Sequence, residues 1–128
     1  MPGQRPRILV IDDNDDFRSL LKAALEGDGH QVETAPNGQN AADVLLARPA
    51  DVVVTDIFMP GKEGIETISE LQKQFPRMHI VAMSGRLSAT DFDPLSIAEQ
   101  LGAAKTLKKP FPIEELLQAV RGLTAKSQ

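Results

Sequence analysis

Residues 7–25 read RILVIDDNDDFRSLLKAAL, and two hydrophobic periods meet inside that stretch. Ile8-Leu9-Val10-Ile11 is an unbroken apolar run, the pattern of a strand buried on both faces. After Asp12-Asp13, the residues Phe17, Leu20, Leu21, Ala24 and Leu25 recur at i, i+3, i+4, i+7 and i+8, the stripe of a core-facing helix. Gly27 and Gly29 stop it. A doubly buried strand followed by an amphipathic helix is one βα unit, and the chain repeats the unit.

Gln31 to Ala35 reads as a second strand and Pro36-Asn37-Gly38 as a turn. Ala41, Val44 and Leu45 mark a second helix that ends near Pro49. Asp51 to Thr55 is a third strand, and Met59-Pro60-Gly61 a loop. Ile65, Ile68, Leu71 and Phe75 line a third helix, which stops before Pro76. His79 to Met83 is a fourth strand. Asp93-Pro94 reads as an N-cap with proline at the first helical position, opening a fourth helix with Ile97, Ala98 and Leu101 that Gly102 closes. Lys105 to Lys108 is a short fifth strand. Pro112 opens a fifth helix with Ile113, Leu116, Leu117, Val120 and Leu123 on one face. Five strands alternating with helices predict an α/β fold with a parallel sheet, because parallel strands need crossover connections. Right-handed crossovers at this length suit the flavodoxin-like order 2-1-3-4-5, a (βα)5 unit with helices on both faces.

The 128 residues fit one domain, with a core over about 7–123 and flexible ends at 1–6 and 124–128. With no Cys there are no disulfides, thiolate metal sites or Cys nucleophiles. Apolar residues at 41% and charged residues at 25% are ordinary globular composition, which argues against disorder. No apolar run approaches the roughly 20 residues of a membrane span. The stretch after the basic N-terminus is also too short for a signal peptide, so the expected setting is cytoplasmic. A net charge of −4 argues against direct nucleic-acid binding, which needs clustered Lys and Arg.

In a sheet of this order, function gathers at the carboxyl ends of the strands. Strand one ends in Asp12-Asp13 and strand three in Asp56, and the order makes those strands neighbours. Three converging carboxylates repel one another unless a cation joins them. A hard-oxygen set without His or Cys favours Mg²⁺, with Mn²⁺ as a substitute. Asp15 and Asp16 read as ordinary first-turn acids of a helix. The acidic loop also repels phosphate, and no phosphate-binding glycine motif is present. Strand four ends in Ser84-Gly85 and strand five in Lys108-Lys109-Pro110-Phe111. Lys108 reads as solvated. Pro110 restricts the chain after Lys109 and permits a cis bond. His30 and His79 read as ordinary surface or turn residues.

Asp12-Asp13, Asp56 followed by Met59-Pro60 and Gly64, Ser84-Gly85, Gly102-Ala103 and Lys109-Pro110-Phe111 together resemble the receiver domain of two-component response regulators. The resemblance runs from about Arg7 to Leu123 in order. It implies that Asp56 accepts a phosphoryl group from a phosphohistidine on a sensor histidine kinase or a histidine phosphotransfer protein. It also implies Mg²⁺ held by Asp12, Asp13, Asp56 and the backbone carbonyl of Phe58. Lys109 would neutralise phosphoryl oxygens, and Ser84 would bond one of them and so switch the surface around the fourth helix, fifth strand and fifth helix for a downstream protein partner.

Three departures from the family stand out. Thr106 occupies the place of a usual Tyr or Phe, so the aromatic swing of activation is missing. The stretch from Ser84 to Gly102 is a few residues longer than usual, through Arg86 to Asp93, and a long or mobile loop is expected there. Phe58 and Arg86 occupy positions that tune loss of the phosphoryl group, with Phe58 expected to shield it from water. Two rival readings are a degenerate receiver that only binds partners, and a haloacid-dehalogenase-like phosphatase. The second would need an acid where Phe58 stands. The five residues after Leu123 are too few for another domain, so the expectation is a stand-alone or excised receiver.

Overall fold

The computed structural model describes residues 5–57, 64–85 and 102–124. Its strands are β1 (Arg7–Ile11), β2 (Gln31–Ala35), β3 (Val52–Asp56), β4 (His79–Ser84) and β5 (Lys105–Lys108). Its helices are α1 (Asp15–Gly27), α2 (Gly38–Ala47), α3 (Gly64–Gln74) and α4 (Ile113–Thr124), the last being the fifth helix of the sequence reading. The expected helix around Ile97 to Leu101 and the long stretch from Arg86 lie outside the described residues, as do Phe58 and Met59-Pro60-Gly61.

The strands form one sheet in the order β2-β1-β3-β4-β5, and the paired neighbours are parallel. Alternate residues of each strand point to opposite faces, and both faces are covered. Leu9, Ile11, Val53, Ile80 and Ala82 pack with Ala41 and Leu45 of α2 and with Ile68 and Leu71 of α3. Ile8, Val10, Val52, Val54, Val81 and Met83 pack on the other face with Leu21 and Leu25 of α1 and with Leu116 and Val120 of α4. This double burial is why β1 and β3 read as unbroken apolar runs.

Local signals set the helix ends. Asn14 caps α1 by accepting a hydrogen bond from the Phe17 N–H at 2.9 Å, and Asn37 caps α2 in the same way through Asn40. Gly29, at φ +95°, turns the chain back after α1, and its N–H and that of His30 reach the carbonyls of Glu26 and Leu25.

Two expectations need correction. Leu20 fits the helical stripe but is 52% exposed, because α1 covers the sheet through Leu21 and Leu25 one position round. His30 is buried rather than superficial. It lies between the end of α1 and β2, and its Nε2 is 3.7 Å from the Asp28 carboxylate, too far for a hydrogen bond. The strand limits also shift slightly: β3 takes in Asp56, and β4 takes in Ser84.

Candidate functional site

The crossover between β1 and β3 sets the site. Val10 pairs with Val54 and Ile11 with Thr55, so the residues that follow, Asp12 and Asp56, emerge side by side at the carboxyl edge of the sheet. Asp12 is fully buried and Asp56 is 7% exposed, whereas Asp13 faces solvent. Oxygens of the three carboxylates all lie within 4.8 Å of one another. Such a cluster is costly without a compensating cation.

Lys109 supplies one. Its Nζ donates to Asp12 Oδ2 at 3.0 Å and to Asp56 Oδ2 at 2.8 Å. The stem is held too: the Lys109 backbone N–H donates to the Ser84 carbonyl at 2.8 Å, and the Lys109–Pro110 peptide bond is cis. Burial pulls the ammonium pKa down, but the bonds and charges of Asp56 and Asp12 outweigh it and hold the group above the ordinary lysine value.

The loop carrying Asp12 is braced from both sides. Asp12 Oδ1 accepts from the Asn14 N–H at 2.9 Å, and the Arg18 guanidinium donates to the Asp12 carbonyl and to Asp15. The Thr55 hydroxyl donates to the Asp56 carbonyl at 3.0 Å. The Phe17 ring lies under the Lys109 ammonium, 4.4 Å from Nζ to the ring centre.

Asp12, Asp13, Asp56 and Lys109 therefore come together from three separate strand ends. Ser84, buried at the end of β4, joins them through its carbonyl and sits one residue past the Asp56–Met83 register pair. Thr106 pairs with Ala82 inside β5, half-buried. Phe58 and Arg86 lie outside the described residues. Asp15 and Asp16 are exposed first-turn acids, as read. Sequence reasoning missed the bracing by Asn14 and Arg18 and the ring of Phe17. The Asn14 cap was legible as Asn before an acidic first turn, but the Arg18 and Phe17 contacts with the site had no sequence signal.

The response regulator receiver domain profile matches residues 8–121. The chain belongs to that family. The receiver is 32% identical over 117 residues to the DNA-binding transcriptional regulator NtrC of Escherichia coli K12, covering 91% of the chain and 24% of NtrC. It is 33% identical over 121 residues to the response regulator MprA of Mycolicibacterium vanbaalenii, covering 94% of the chain and 51% of MprA. It thus spans a quarter to a half of these curated relatives. Among solved structures, the Vibrio cholerae chemotaxis protein CheY4 superposes with a TM-score of 0.84 at 25% identity, covering 94% of the receiver and 99% of CheY4. A Thermotoga maritima response regulator gives 0.84 at 28% identity, covering 96% and 100%. No helix among the receiver's described residues is long and apolar enough to cross a membrane.

Proposed function

We propose that this receiver accepts a phosphoryl group on Asp56 from a phosphohistidine of a sensor histidine kinase or histidine phosphotransfer protein. The observation that carries the reading is the near-buried Asp56 carboxylate, set within 4.8 Å of two further carboxylates and bonded to Lys109. A carboxylate oxygen of Asp56 forms the new bond to phosphorus as the bond from phosphorus to the donor imidazole nitrogen breaks, and the electron pair leaves with that nitrogen. Such transfer needs positioning and charge neutralisation more than covalent help. Lys109 provides a fixed positive charge beside the acceptor. Ser84, at the end of the next strand, offers a hydroxyl to a phosphoryl oxygen.

The donor set fits Mg²⁺ or Mn²⁺: three carboxylates, one of them solvent-facing, with no nitrogen or sulfur ligand among them. Asp12, Asp13 and Asp56 would hold the ion, with the Phe58 carbonyl as a further ligand. When bound, the ion would supply positive charge that offsets the negative charge of Asp56 and of the incoming phosphoryl group.

The Ser84 bond exists only with the phosphoryl group in place, so it is the contact that distinguishes two states of the receiver. We assign the readout by a downstream protein partner to the surface along β5 and α4, with Thr106 contributing no aromatic swing. The functional unit is the single receiver over about 7–123, and its direct dealings are with proteins rather than nucleic acid or membrane.

The test is intact-mass spectrometry after incubation with Mg²⁺ and a small phosphoryl donor. One phosphoryl adduct is expected, lost in Asp56→Asn and in EDTA. Cation binding with no adduct from a small donor or a kinase would replace this reading with that of a receiver that only binds partners.

A further inference from the structure

We propose that Phe17 is a positioning residue for the Lys109 ammonium, holding it against Asp12 and Asp56 by a cation–π contact; its role in phosphoryl transfer rests on the acceptor reading above. Lysine is a point charge on a flexible stem and loses rotamer freedom on being fixed. The Lys109 side chain is 22% exposed, so solvent competes for its charge. Two of its three N–H donors are directed at the carboxylates. The Phe17 ring lies 4.4 Å from Nζ and presents a π-face, the arrangement in which an aromatic quadrupole attracts a cation.

The ring is itself held. Its edge-on partner is Phe111, with centroids 6.1 Å apart and planes at 70°. Phe111 follows Lys109 by two residues, so the same chain turn carries the ammonium and the prop for the ring beside it. On the other side, the Phe17 N–H is tied to the Asn14 side chain, and the Asn14 N–H to Asp12. The contacts close a circuit: Lys109 to Asp12, Asp12 to Asn14, Asn14 to Phe17, and Phe17 back to Lys109. A leucine at position 17 would keep the packing against the α1–α4 side of the core but lose the negative face.

Two measurements test the proposal. The first is a double-mutant cycle of Phe17→Leu with Lys109→Gln, read by urea unfolding in EDTA. The effect of Phe17→Leu on the folding constant is expected to be about threefold to tenfold smaller once Lys109 is replaced. Additive effects would overturn the proposal. The second is the rate of adduct formation from a small phosphoryl donor with saturating Mg²⁺. Phe17→Leu should be slower by about threefold to tenfold, and Phe17→Tyr should stay within about twofold of the parent. Trifluorophenylalanine at position 17 keeps the shape but weakens the quadrupole, and should fall between phenylalanine and leucine. A leucine or trifluorinated variant at the parent rate would overturn the proposal. If the parent takes no phosphoryl group, the acceptor reading fails by itself, and the cycle still decides whether Phe17 holds Lys109.

Discussion

Replacing Lys109 by methionine separates the charge of this side chain from its packing. The methionine keeps an unbranched stem beside Gly85 and Phe17 but leaves the carboxylates of Asp12 and Asp56, 0% and 7% exposed, without their cation. At an effective dielectric of about 20, each contact near 3 Å carries a gross attraction of about 5 kcal/mol. Desolvation of the three groups offsets most of it. Removing one partner of a buried pair costs about 3–5 kcal/mol, and the partial exposure of Lys109 places this case near 3 kcal/mol. With a urea slope of about 1.5 kcal/mol/M, the unfolding midpoint in EDTA should fall by about 2 M. Adding Asp12→Asn should recover more than half of that, because the most deeply buried charge is then gone. Magnesium should raise the midpoint of Lys109→Met more than that of the parent, since binding to the folded state adds stability where charge compensation is missing. A Lys109→Met protein as stable as the parent in EDTA, or one whose loss is unchanged by Asp12→Asn, would refute the claim that Lys109 offsets the carboxylate cluster.

Three further outcomes are expected. Leu20→Ser should change stability by less than about 0.5 kcal/mol, whereas its neighbour Leu21→Ala should cost about 2–5 kcal/mol, as denaturant titration of the pair would show. Gly38→Ala should cost about 1–3 kcal/mol, because the added Cβ would overlap the Thr67 hydroxyl oxygen; the melting temperature should drop by about 4 °C per kcal/mol and partly recover with Thr67→Ala. The carboxylate of Asp28, bonded at 2.8 Å by both Nε and Nη2 of Arg121, is held below its ordinary pKa of 3.8. A depressed acid contributes stability above its unfolded pKa and loses it as pH falls through the folded value. The stability difference between the parent and Arg121→Gln should therefore be constant near neutrality and shrink below pH 3.8, as urea titrations at stepped pH would reveal.

The corrections to the sequence reading have a common cause. A helical period names a stripe but not its centre, so Leu20 and Leu21 looked equally apt until the packing of α1 on the sheet selected Leu21. Nothing local distinguishes a turn histidine from a buried one. His30 is enclosed by an element pairing that brings the end of α1 against β2.

What the chain determined by itself was the order of its elements and the chemistry at their ends. Unbroken, largely β-branched apolar runs at Ile8–Ile11 and Val52–Val54 read as strands covered on both faces, and the acids, hydroxyl and amine that follow successive strands are written in order along the chain. Convergence was legible too, once parallel pairing was inferred, because a crossover makes β1 and β3 neighbours. What the tertiary structure decided was which groups touch. Lys109 is separated from Asp12 by 97 residues and from Asp56 by 53, yet lies within 3.0 Å of both. The ring of Phe17 reaches the same ammonium from α1. Hydrogen bonds and ring contacts of this kind depend on distances of a few tenths of an ångström, and a pattern of residue types carries no such information.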